Sequence, residues 1–139
     1  MKRLRAAALL ATVVLVTGAC TYFPTVLDTG GVRIQPRNGR AVRQATGAEF
    51  YVEVASTGKF GDALIRAESE VAQRAQLVGP SGAPLARLEI DGETVVRLAP
   101  GGHRVVLADL KRPLKAGEVV IVTLYFEKSG GIGVITVVE

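Results

Sequence analysis

Apolar and polar residues alternate along much of this chain with the period of two that is typical of β-strands, most clearly in Glu49–Ala55. There Phe50, Val52 and Val54 fall on one side, and the residues between them, Tyr51 included, fall on the other. Because successive side chains of a strand point to opposite faces of a sheet, this segment predicts a half-buried strand.

Turn residues divide the rest of the chain into similar short segments. Val119–Phe126 is the clearest of them, since it is rich in β-branched and aromatic residues. The pair Asp91-Gly92, a common two-residue turn, predicts a hairpin between the segments on either side of it. The other predicted strands are Gly31–Gln35, Ala63–Ala67, Val71–Val78, Leu85–Ile90, Thr94–Leu98, His103–Leu110 and Ile132–Val138. About nine short strands without a helical period predict one all-β domain, an antiparallel sandwich or barrel.

The first twenty residues have the pattern of an export signal. Lys2, Arg3 and Arg5 precede the apolar run Ala6–Val16, which is too short to span the roughly 30 Å hydrocarbon core as a helix. Small residues then lead directly to Cys20, the only cysteine, in an arrangement that resembles a bacterial lipobox. The predicted division of the chain is a lipoprotein signal peptide (1–20), a tether (21–30) and a folded domain (31–139).

The lipobox predicts that Cys20 receives a diacylglyceryl thioether and becomes the acylated N-terminus. Two or more acyl chains anchor a protein stably, whereas one chain is marginal. The alternative is an ordinary secretory signal followed by a free cysteine, and we favour the lipoprotein because a lone thiol is a liability in an oxidising compartment. The predicted location is the bacterial cell membrane, with the domain facing the periplasm or extracytoplasmic space.

Charge argues against nucleic acid as a partner. The formal net charge is +4, but without the three basic residues of the signal only 14 basic residues face 13 acidic ones. A nearly neutral domain lacks the electrostatic footprint of a DNA- or RNA-binding protein. The run Arg33, Arg37, Arg40 and Arg43 is a local exception that could attract anionic headgroups beside the anchor. We favour the alternative, a solvated loop whose charge is offset by acids elsewhere in the fold.

No group of residues predicts an enzyme. The loop Gly79–Pro84 fails the Gly-x-Ser-x-Gly pattern at Ala83, and the single histidine, His103, offers little basis for a Ser–His pair. The acidic residues around Asp91 lack the spacing of a calcium loop. We therefore predict a protein without catalytic activity.

Five short motifs occur in a distinctive order along the chain. They are Gly61–Leu64, Ala75–Leu77, Leu98–Gly102, Pro113–Gly117 and Val122–Lys128. In this order and spacing they resemble the PCu(A)C family of bacterial copper chaperones, from about Glu49 onward. The resemblance implies a cupredoxin-like Greek-key β-sandwich that is exported, binds Cu(I) and delivers it to the dinuclear copper centre of cytochrome oxidase.

The resemblance also implies where copper ligands would lie. A His and a Met are expected around the loop after the Leu77 strand, and a His-x-Met after the Pro-Gly-Gly turn. The first His position is Val78, and the His-x-Met positions are Arg104 and Val106. His103 comes one residue early, and one step along a strand turns a side chain to the opposite face.

These residues do not suit copper. Cu(I) selects thioether, thiolate and imidazole ligands, and the only methionine, Met1, leaves with the signal. We therefore predict no metal site, with His103 as the one candidate ligand. The substitutions at Val78 and Val106 predict an apolar patch rimmed by Arg104, which would suit a protein contact.

Together these observations predict a membrane-anchored lipoprotein with a copper-chaperone-like domain that has lost the family's copper site. It would act as a non-catalytic binding or accessory module, without a cofactor, and its partner would be a protein of the cell envelope. The alternative is a working copper chaperone for cytochrome oxidase assembly, which would bind copper at a non-family site or one completed by its partner.

Overall fold

The computed structural model describes residues 31–139, so the predicted signal peptide, Cys20 and the tether lie outside the described residues. The described part contains nine strands and no helix, and therefore no helix able to span a membrane. The strands are β1 (Ile34–Gln44), β2 (Gly47–Ser56), β3 (Asp62–Ser69), β4 (Ala72–Val78), β5 (Leu88–Ile90), β6 (Thr94–Leu98), β7 (Arg104–Leu110), β8 (Val119–Phe126) and β9 (Gly130–Val138).

These strands form one curled sheet in the order β4-β7-β2-β1-β9-β8-β3-β5, and β6 pairs with β2 beyond the end of β7. The pairs are antiparallel except for β1 and β9, which run parallel where Gly39–Ala41 meets Thr136–Val138. The curled sheet encloses a single cluster of buried side chains. The all-β, cupredoxin-like sandwich that the sequence predicts is thereby confirmed.

The core is built from the alternating apolar positions of the strands. Phe50, Leu64, Leu107 and Leu124 are among its largest fully buried side chains, and they come from four different strands. Full burial of one such side chain contributes roughly 2 kcal/mol. Apolar packing between strands distant in sequence therefore holds the curled sheet around its core.

The predicted hairpin around Asp91-Gly92 is wrong. β5 pairs with β3 and β6 pairs with β2, so this turn carries the chain from one part of the sheet to another. A Cβ atom on Gly92 would lie 2.2 Å from the carbonyl oxygen of Lys59. The glycine is needed for this close approach rather than for a hairpin turn.

The arginine run lies mostly in a strand, not in the solvated loop that we predicted. β1 extends far beyond the predicted Gly31–Gln35, and a register shift between Arg37 and Arg40 interrupts its pairing with β2. As predicted, acids from elsewhere in the fold offset these charges. The guanidinium of Arg37 lies 3.4 Å from the carboxylate of Glu53, and that of Arg40 lies 3.4 Å from Glu139.

A buried carboxylate, Asp62, ties the start of β3 to the turn between β8 and β9. It accepts hydrogen bonds from the backbone amides of Ala63, Lys128 and Ser129 and from the Ser129 hydroxyl, at 2.7–2.9 Å. Burial opposes ionisation of this carboxyl group. The hydrogen bonds outweigh that effect and hold the pKa of Asp62 below its ordinary value.

Candidate functional site

Strands β4, β7 and β2 bring together the positions that the sequence singled out. Val78 is paired with Arg104 across β4 and β7, and Val106 is paired with Glu49 across β7 and β2. Because paired residues and alternate residues of a strand share a face, these side chains lie on one outer face of the sheet. We call Glu49, Tyr51, Val78, Arg104 and Val106 the Arg104 cluster.

The guanidinium of Arg104 is the centre of this cluster. Its Nε atom donates a hydrogen bond to Oε1 of Glu49 at 3.1 Å. Its Nη1 atom donates to the carbonyl oxygens of Gly79, at 3.2 Å, and Gly102, at 3.1 Å. The side chain is only 17% exposed. The planar guanidinium, whose N–H donors have fixed directions, therefore joins β2 to the loop after β4 and to the loop before β7.

Tyr51 projects from the outer face of β2, yet it is buried. Its hydroxyl donates to Oε2 of Glu49. The guanidinium carbon of Arg40 lies 5.1 Å from the centroid of the Tyr51 ring, within the range of a cation–π contact. Burial raises the pKa of Tyr51 to about 12, and the hydrogen bond and charge of Glu49 act in the same direction.

Tyr51 is expected to ionise only near pH 12, above the ordinary range of a tyrosine. Folding favours the neutral form of Tyr51. Its contribution to the stability of the fold is therefore fully present below the unfolded pKa of about 10, and it is lost as the pH rises through the pKa of Tyr51 in the folded protein. Ultraviolet titration of the folded protein measures this step. Tyr51→Phe should remove the late step, whereas Tyr125→Phe should leave it; loss of the late step in the second variant would contradict the assignment.

Val78 does not contribute to an exposed apolar patch, because it is only 5% exposed. The loop after β4 folds back on itself, with the Gly79 amide donating to the Ala83 carbonyl and the Leu85 amide donating to the Leu77 carbonyl. Pro84 forms an isolated β-bridge with Val78. The predicted patch of Val78 and Val106 rimmed by Arg104 is therefore wrong, since Val78 is buried and Arg104 lies at the centre of the cluster.

His103 precedes β7, which begins at Arg104 rather than at the predicted His103. Its carbonyl accepts a hydrogen bond from the Ala99 amide at 3.0 Å, which closes a turn where Gly101 has a φ of 76°, a value that glycine adopts readily. Its ring is half-buried, and Nδ1 is buried without a hydrogen-bond partner. Within residues 31–139, no three His, Cys, Asp or Glu side chains are grouped closely enough to hold a metal ion.

Arg104→Ala is expected to lower the free energy of unfolding by about 2 kcal/mol, because it leaves the Gly102 carbonyl and one oxygen of Glu49 without this donor and removes one of the two donors to the Gly79 carbonyl. Urea denaturation measures the change. The matched control is Arg74→Ala, which removes an ion pair to Asp109 between side chains that are 72% and 54% exposed. That exposed pair should contribute less than about 1 kcal/mol. Equal losses in the two variants would show that the hydrogen bonds of Arg104 are not stabilising.

The chain is similar to a family of lipoproteins and to one of its relatives. Residues 27–138 match the family described as "Putative lipoprotein LpqE-like". A protein of Leifsonia xyli subsp. xyli (strain CTCB07), "Putative lipoprotein Lxx21020", is 30% identical, and the match covers 88% of this chain and 81% of that protein.

Solved structures with the same fold are also similar in sequence. The copper-bound PCuAC domain from PmoF2 is 26% identical with a TM-score of 0.70, over 78% of this chain and 95% of that domain. The apo PCuAC domain from PmoF1 is 27% identical with a TM-score of 0.67, over 80% of this chain and 95% of that domain. The Cu(I) form of DR1885 from Deinococcus radiodurans, at 24% identity and a TM-score of 0.62 over 73% of this chain and 76% of that protein, supports the fold alone.

Proposed function

Because the chain belongs to the family of LpqE-like lipoproteins and carries a PCuAC-like domain, we propose that it is an exported, membrane-anchored accessory module that binds a protein rather than copper. The observation that carries this proposal is the arrangement of Arg104. Its guanidinium lies among the positions where the resemblance to PCu(A)C chaperones would place copper ligands, and its hydrogen bonds are made within the protein.

The residues at these positions do not fit Cu(I). Val78 and Val106 offer no donor atom, and Arg104 adds a positive charge that opposes a metal cation. Cu(I) requires several soft or imidazole ligands, and His103 supplies a single imidazole. The loss of the metal site is therefore part of the proposal, supported by the chemistry of the residues present.

Arg104 also links the two neighbouring loops to each other. Its bonds to the Gly79 and Gly102 carbonyls hold the loop after β4 and the loop before β7 to the same cation. Binding residues often lie on loops that a rigid scaffold positions. We infer that these two loops form the surface that contacts the protein partner, and that the module has no catalytic activity of its own.

Attachment to the membrane through Cys20 completes the proposal. Cys20 lies outside the described residues, so the support comes from its lipobox-like surroundings and from the family of lipoproteins to which the chain belongs. A stable acyl anchor would keep the domain at the outer surface of the cell membrane, in the periplasm or extracytoplasmic space. Metabolic labelling with a palmitate analogue tests this anchor.

A working copper chaperone is the second candidate. The observation in its favour is the buried Nδ1 atom of His103, which has no hydrogen-bond partner. A copper site could use this imidazole together with ligands from a partner protein or a second molecule. Titration of the domain with Cu(I) against a competing chelator separates the two candidates, because the accessory module should leave the metal with the chelator.

A further inference from the structure

Phe60 is an aromatic side chain that the fold leaves exposed. It lies in the loop between β2 and β3 and is 55% exposed, whereas every other aromatic side chain of residues 31–139 is buried or half-buried. The ammonium group of Lys59 lies 5.9 Å from the centroid of the Phe60 ring, within the range of a cation–π contact. We call residues 57–61 the Phe60 loop. An exposed ring with a cation beside it is typical of a surface that contacts another molecule.

The Phe60 loop is held beside the point where the tether joins the domain. Phe60 forms an isolated parallel β-bridge with Val32. A Cβ atom on Gly58 would lie 2.1 Å from the carbonyl oxygen of Gly31, so the loop packs directly against the first described residues. On its other side, the Gly58 carbonyl accepts a hydrogen bond from the Glu93 amide at 3.1 Å. The fold therefore fixes the exposed ring next to the start of the domain.

The tether limits how far this loop can lie from the predicted anchor. Residues 21–31 span at most about 40 Å when fully extended. Because the tether joins the domain at Gly31, an acylated Cys20 would bring the Phe60 loop close to the lipid surface. The Arg104 cluster lies away from this end, since Glu49 is about 20 Å from Ser56 along β2.

Charges of both signs border the Phe60 loop. The exposed charged residues on the segments that meet there are Arg33, Lys59, Asp91, Glu93, Glu127 and Lys128. Positive and negative charges are equal in number, so this surface has no preference for anionic headgroups over neutral ones. A contact with lipid at this loop would therefore depend on the ring rather than on net charge.

We propose that the Phe60 loop contacts the membrane, with the Phe60 ring in the region between the lipid headgroups and the acyl chains. Lys59 would extend its apolar stem along the same region and place its ammonium group among the phosphates. This inference rests on the proposed anchor at Cys20, because one ring is too small to hold the domain at a membrane by itself. The contact would fix the orientation of the domain and leave the Arg104 cluster accessible to a protein partner.

Fluorescence of a single tryptophan tests the contact, because the sequence contains no tryptophan. Residues 20–139, which contain all nine strands and the whole core, are coupled through Cys20, the only cysteine, to a maleimide lipid in phosphatidylcholine vesicles. This linkage supplies the tether whether or not a cell acylates Cys20. On vesicles, Phe60→Trp should emit at a shorter wavelength than in solution and lose about half of its intensity to lipids with brominated chains. The matched control is Ile135→Trp, at a position on β9 that is 72% exposed, which should keep its aqueous emission without quenching.

The proposal is wrong if Phe60→Trp keeps its aqueous emission on vesicles, or if Ile135→Trp is quenched as strongly. It is also wrong if quenching of Phe60→Trp requires phosphatidylglycerol, since net charge rather than the ring would then make the contact. Circular dichroism checks that both variants remain folded. Absence of a palmitate label on the full chain would remove the anchor on which the inference rests, and because the vesicle assay does not need that label, the two failures are distinguishable.

Discussion

Replacing Cys20 with alanine in the full chain is expected to abolish acylation and to release the protein from the membrane fraction. The predicted thioether would form on the cysteine sulfur, and the apolar run Ala6–Val16 is too short to remain as a membrane-spanning helix. Since stable attachment requires more than one acyl chain, removal of the acceptor should remove nearly all of the bound protein. Metabolic labelling with a palmitate analogue, followed by membrane fractionation, measures both effects.

The matched control lies within the same signal. Thr17 stands where a lipobox more often has leucine, so Thr17→Leu should retain the label and the membrane attachment. If wild type and Cys20→Ala carry the same amount of label, the predicted lipoprotein anchor is wrong. The ordinary secretory signal would then be the better account of residues 1–20.

Replacing Asp62 with asparagine is expected to lower the free energy of unfolding by about 2–3 kcal/mol. The buried carboxylate accepts four hydrogen bonds, and an amide nitrogen at one of its oxygen positions would face donors instead of accepting from them. Asp109→Asn is the matched control, because Asp109 is exposed and its positive φ of 53° suits asparagine. That control should lose less than about 1 kcal/mol. Urea denaturation of both variants provides the comparison.

The same carboxylate predicts how stability depends on pH. Burial opposes the ionisation of Asp62, but its hydrogen bonds hold its pKa below the ordinary value, so folding favours the charged form. Its contribution is therefore present above the unfolded pKa of about 4 and is lost as the pH falls through the folded value. The stability of Asp62→Asn should decline less steeply over this acid range. An identical decline in both proteins would contradict the assignment.

Local pattern was enough to predict several strands but not their partners. The predicted Val119–Phe126 has the same bounds as β8, because alternation and β-branched residues are properties of the segment itself. The turn Asp91-Gly92 led to the wrong prediction of a hairpin, because its geometry is set by contact with Lys59, far away in sequence. The length of β1 was underestimated because proline, asparagine and glycine disfavour strands. Pairing with both β2 and β9 overcomes that preference.

The sequence predicted which residues of β4 and β7 lie at the candidate site, but not the contacts that they make. Register along β4 and β7 brings Val78, Arg104 and Val106 together, as the resemblance to the copper chaperones implied. The roles of Glu49 and Tyr51 were missed because they depend on which strand lies beside β7. A local signal was available, since an acid and a phenol two residues apart share one face of a strand. The burial of Val78 was also missed, because it depends on tertiary packing, which no periodicity reports.

Titration of residues 21–139 with Cu(I) in the presence of a competing colorimetric chelator tests the central claim most directly. With Arg104 held by Glu49 and two carbonyls, and with valines at the neighbouring positions, the chelator should retain the copper at every ratio of protein to metal. His103→Ala should then behave like wild type. Transfer of one equivalent of Cu(I) to the wild-type domain, abolished by His103→Ala, would contradict the claim and establish a working copper site.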